Sequence, residues 1–102
     1  MSKEKKYNLK KKIYPILRSN KVSYCALFGS RARGDYKRDS DYDFLIDFVP
    51  GSRISLFDVA QLKLDLESKL KKDVDVVSRR SIKPMIRAYA QKDLLKIYEK
   101  RQ

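Results

Sequence analysis

Residues 22–49 constrain this chain most: a largely apolar run, a Gly-Ser corner, a polar stretch, then strict alternation. Val22 to Phe28 has the composition of a buried strand and runs directly into Gly29-Ser30. From Asp41 to Val49, one parity carries Asp41, Asp43, Leu45 and Asp47, and the other Tyr42, Phe44, Ile46 and Phe48. That is the period of a strand with one face in a core. Asp41 and Asp43 then share a face, about 7 Å apart along the strand. Two carboxylates beside a Gly-Ser turn suit a divalent cation that holds a nucleoside triphosphate.

The remaining elements fit around this pair of strands. Asn8 is placed to cap a first helix with Leu9, Ile13, Ile16 and Leu17 at helical spacing, and Pro15 is expected to kink or split it. Asn20 is its stop. Residues 30–34 read as a short helical turn, with a polar loop to Ser40 in which Asp35 and Asp39 are loop and capping residues. Pro50-Gly51 ends the alternating strand. Ser55-x-x-Asp58 predicts a capped helix to Leu70, with Leu56, Val59, Leu62, Leu66 and Leu70 on its apolar stripe. Asp65 with Lys69 and Glu67 with Lys71 are spaced as ion pairs. A third strand follows over Asp73 to Ser78, then a helix from Pro84 to about Lys92. Leu94 to Tyr98 ends that helix or forms a short edge strand. The expected fold is α/β (α+β): a small mixed sheet flanked by helices, one domain over 1–102 with a basic leader at 1–7.

Composition narrows the chemistry. The 102 residues include no histidine and one cysteine, Cys25, within an apolar run. Ser-His hydrolysis and most zinc sites are thereby excluded, and Cys25 reads as core packing. A metal here must be a hard cation on carboxylates, magnesium or manganese. No apolar run approaches a membrane span and the N-terminus lacks a signal peptide's apolar stretch, which favours the cytoplasm. The net charge of +12 is concentrated early, in Lys3, Lys5, Lys6, Lys10, Lys11, Lys12, Arg18 and Lys21 against Glu4. Such a segment is either a contact for nucleic acid or an acidic partner, or a solvated leader.

In combination, Gly29-Ser30, Asp41-x-Asp43 ten residues on, and Val74-Asp75-Val76-Val77 on a later strand resemble the signature of the minimal nucleotidyltransferases, the smallest branch of the DNA polymerase beta-like fold. Arg31-Ala32-Arg33-Gly34 and Ser40 are similar to that family's loop. The resemblance implies a site in which Asp41, Asp43 and Asp75 hold Mg2+, and Asp75 alternatively takes the proton of the attacking hydroxyl. It also implies ATP bound near Gly29, Ser30, Arg31, Arg33 and Ser40. Gly29 admits the phosphates, Ser30 opens a turn with free N–H groups, and an arginine offers a forked donor. Asp47 stays outside the first set as a supporting carboxylate. The implied activity is transfer of AMP from ATP to a hydroxyl, a tyrosine first, of a partner protein, with a helical HEPN toxin as the implied partner and this chain as its antitoxin. Two alternatives stay open: a toxin-neutralising subunit without catalysis, and a nucleotidyltransferase acting on RNA.

Overall fold

The computed structural model describes residues 2–35, 37–38, 40–80 and 94–100. Its elements run α1 (Lys3–Ser19), β1 (Val22–Phe28), α2 (Ser30–Arg33), β2 (Tyr42–Phe48), α3 (Leu56–Leu70), β3 (Val74–Ser78) and β4 (Leu95–Glu99). Among the described residues the strands form one sheet in the order β3-β2-β1-β4. β1 is antiparallel to both β2 and β4, and β2 is parallel to β3. The mixed sheet with helices is the expected class, and 94–98 resolves to the edge-strand reading. The expected helix from Pro84 to Lys92 lies outside the described residues, as does Asp39.

Alternation in β2 divides the sheet into two faces. Phe44 and Ile46 join Leu27 of β1, Val74 of β3 and Ile97 of β4 in the main core, against Leu9, Ile13 and Leu17 of α1 and Leu62, Leu66 and Leu70 of α3. On the other face Leu45 meets Tyr24 and Ala26 in a smaller cluster. A register shift between Val22 and Tyr24 lets Val22 share the helix-side core with Cys25 despite their opposite parity. Cys25 is buried and burial pushes its thiol pKa upward, consistent with packing alone.

Three expectations for the helices change. α1 starts at Lys3, capped by the Ser2 hydroxyl, which accepts from the Lys5 N–H at 3.2 Å. Asn8 is therefore interior to the helix, and most of the basic leader is its first turns. Of the two effects expected of Pro15, splitting does not occur: α1 continues through it to Ser19. Pro15 and Lys11 are both exposed, so the carbonyl deprived of its N–H partner can bind water. Leu56 leaves the apolar stripe of α3: it is 87% exposed, as is Phe57, whereas Leu62 is fully buried. The Ser55–Asp58 capping box holds as expected.

Among the described residues, the acids of α3 make tertiary contacts and neither of the expected helical ion pairs forms. Asp65 accepts from Asn20 Nδ2 at 3.1 Å, tying α3 to the end of α1. Glu67 accepts from the Val74 N–H at 3.1 Å, tying it to the first residue of β3. The carboxylate end of the sheet is thus anchored from below.

Candidate active site

β1, β2 and β3 bring the site together by register. Asp43 stands opposite Phe28 on β1 and opposite Asp75 on β3. Because Phe28 is the last residue of β1, Gly29 falls directly beside Asp43. Gly29 has φ 75° and ψ −156°, a region essentially reserved for glycine. Its missing side chain is filled by a neighbour: a Cβ at Gly29 would overlap the Asp43 carboxylate. The glycine expected to admit phosphate is thus also the seat of the central carboxylate.

The carboxylates are crowded. Burial raises the Asp43 pKa first, followed by the charge and side chain of the neighbouring Asp75 and the charge of Asp41, while Arg33 opposes the shift. Asp43 is half-buried; Asp41 and Asp75 are exposed. Asp41 precedes β2 by one residue, so the strand expected from Asp41 begins at Tyr42, whose N–H donates to Asp73 O at 3.0 Å. Among the described residues, no three acidic or sulfur side chains stand in a ready-made cage for a metal ion. Magnesium does not need one, since it commonly takes one or two carboxylates and fills its shell with phosphate oxygens and water. A half-buried carboxyl in register with Asp75, with Asp41 nearby, fits that requirement, because a cation relieves the repulsion that raises the Asp43 pKa.

The Gly29–Gly34 corner holds the other expected residues, in two different settings. Ser30 opens α2, whose turn is closed by the Arg33 and Gly34 N–H groups donating to Gly29 O and Ser30 O, at 3.1 and 2.9 Å. Arg33 is exposed, reaches Asp35 at 3.2 Å and lies close enough to act on Asp43. Arg31 turns the other way, to the helix side, where it borders a cavity of about 210 Å³ with Lys5, Asn8, Lys12 and Tyr42. Its guanidinium is held there by the Ser40 carbonyl and the Tyr42 ring. Ser40 is engaged within its loop: its hydroxyl accepts from the Lys37 N–H at 2.8 Å, and its carbonyl accepts from Arg31. Asp47 lies two residues beyond Leu45 on the carboxylate face and pairs with Arg80 at 3.4 Å.

One residue beside the site gave little sign of it in sequence: Tyr42 underlies Arg31. The adjacency of Tyr42 to Asp41 was the available signal, since a strand residue next to one on the carboxylate side faces the core and can receive a buried partner.

Residues 11–102 match the family model described as polymerase beta, nucleotidyltransferase. The chain belongs to that family. A Methanocaldococcus jannaschii protein, provisionally named protein adenylyltransferase MJ0435, is 43% identical over 79 residues, which cover 78% of this chain and 83% of that one. A solved minimal nucleotidyltransferase structure, so named provisionally, is 33% identical with a TM-score of 0.73, covering 93% of this chain and 95% of its own. A chain in a crystal structure of a toxin–antitoxin with AMP-PNP is 27% identical with a TM-score of 0.75, covering 91% of this chain and 75% of that chain. The resemblance read from Gly29-Ser30 and Asp41-x-Asp43 is thus borne out at the level of family and fold. Among the described residues no helix is long and apolar enough to cross a membrane.

Proposed function

We propose that this chain is a magnesium-dependent protein adenylyltransferase, with manganese as a substitute, that transfers AMP from ATP to a tyrosine hydroxyl of a HEPN-type toxin and so acts as its antitoxin. One observation carries the reading: the Asp43 carboxylate seated in the space left by Gly29 and paired in register with Asp75 across β2 and β3. The relatives' names, and the AMP-PNP in a neighbouring toxin–antitoxin structure, support the donor and the kind of partner.

Asp41 and Asp43 are the residues that would hold magnesium, with Asp75 as a further ligand. When bound, the ion supplies neutralisation of the triphosphate and polarisation of the α-phosphate. Gly29 fixes the Asp43 carboxylate in one direction. Arg33, exposed beside that carboxylate, offsets phosphate charge. Ser30 offers its hydroxyl to a phosphate oxygen. Asp75 is exposed, so a hydroxyl delivered by another chain can reach it, and its carboxylate oxygen accepts the proton of that hydroxyl. The acceptor oxygen then bonds the α-phosphorus as the bond to the leaving pyrophosphate breaks.

The test is intact-mass measurement of a HEPN partner after incubation with this protein, ATP and magnesium. Addition of one or more adenylyl groups, absent with Asp43→Asn, supports the reading. A partner that is silenced yet unmodified turns it to the binding-subunit alternative. The basic α1 favours RNA as the second acceptor class, and label from ATP appearing on RNA in the same mixture would select it.

A further inference from the structure

Arg31 is 6% exposed, a rare burial for arginine unless its donors are matched. Its Nε and Nη2 both donate to the carbonyl oxygen of Ser40, at 3.0 and 2.8 Å. Its guanidinium carbon lies 4.1 Å from the centre of the Tyr42 ring. That ring stacks in turn on Phe44, at 5.8 Å and 6° between planes, within the main core. Ser40 and Tyr42 are the residues on either side of Asp41. One buried cation therefore grips the chain before and after an exposed carboxylate that lies outside the β2 ladder.

Resting on the reading just given, we infer that Arg31 is a positioning residue for Asp41, setting the direction of that carboxylate through Ser40 and Tyr42 instead of acting on the phosphates. The geometry asks for arginine in particular. Two donors of one guanidinium converge on one oxygen while its plane lies on a ring, and a lysine ammonium supplies neither the fork nor the plane.

The probe is Mn2+, titrated into wild type, Arg31→Met, Arg31→Lys, Asp41→Asn and the Arg31→Met/Asp41→Asn double variant. Arg31→Met should weaken Mn2+ binding about tenfold or more, the usual loss when a residue that orients a metal ligand is removed. Arg31→Lys should restore little of it. In the Asp41→Asn background Arg31→Met should cause no further loss, because its effect passes through Asp41. In metal-free protein, amide hydrogen exchange at Ser40 and Tyr42 should accelerate while Cys25 and Leu45 remain protected. Unchanged Mn2+ affinity, an equal loss in both backgrounds, or unchanged exchange at Ser40 and Tyr42 overturns the inference. Should Arg31→Met fail to fold, Tyr42→Leu removes the ring and keeps every charge, and its Mn2+ loss must likewise vanish with Asp41→Asn. Wild-type protein that binds no Mn2+ refutes the metal-dependent function instead, and the exchange rates then decide Arg31 separately.

Discussion

Gly29 and Asp43 occupy each other's space, and both can be tested by single substitutions. Gly29→Ala adds a Cβ where the Asp43 carboxylate sits, and it forces a side chain into a backbone region costing about 1–3 kcal/mol. Chemical denaturation should show at least that loss, and AMP transfer should disappear with it. Gly34→Ala makes the contrast: φ is 90° but open space surrounds the added carbon, so some stability is lost while transfer survives. Asp43 itself carries a raised pKa from burial, Asp75 and Asp41. A carboxyl raised in the folded state keeps its proton there after the unfolded chain has lost it. Its ionisation therefore costs stability as pH rises from the ordinary carboxylate range through the raised value. Asp43→Asn should accordingly stabilise metal-free protein near neutral pH, by about 0.5–1 kcal/mol given the site's partial exposure. In melts from about pH 7 down to about pH 4 that advantage should shrink towards zero as wild-type Asp43 protonates. Magnesium should raise the wild-type melting temperature and leave the variant's nearly unmoved. A large destabilisation of Asp43→Asn would assign the carboxyl a structural role.

The elements were readable to different depths. β1 spans the very residues of its apolar run, Val22–Phe28, because a strand buried on both faces leaves little choice of boundary. The two faces of β2 followed from its alternation, and they place Asp43 away from the helices. The order β3-β2-β1-β4 was not legible, since periodicity says which side a residue faces and not which strand lies beside it. Nor was the burial of Arg31, which needs a matching carbonyl and ring that only the folded chain supplies. Leu56 shows the limit of a helical stripe: it has the right spacing, yet the first turn of α3 leaves it exposed. Leu62→Ala should cost about 2–5 kcal/mol in urea unfolding. Leu56→Ala should stay within about 0.5 kcal/mol of wild type. A large loss at Leu56 would restore it to the core.

At the scale of the molecule, the net charge of +12 is set against a site made of acids. The lysines of α1 stand on a formed helix and not on a loose leader, so their stems start from ordered positions. Among the described residues, Leu9 is the first along the chain to join the apolar core. Removing residues 1–6 should therefore cost about 1 kcal/mol or less, chiefly the Ser2 cap and the first turn. Its effect should be on association. Exposed cations steer an acidic partner over a Debye length of about 10 Å at 0.1 M salt, and that field collapses to about 3 Å at 1 M. The truncated protein should then bind its partner more slowly at low salt, with dissociation little changed, and the difference should close as salt is raised. Rapid-mixing measurements of association and dissociation across ionic strength would separate the two. A deficit that persists at high salt and resides in dissociation would mean that the first turn of α1 makes a specific contact with the partner, and that steering is not its role.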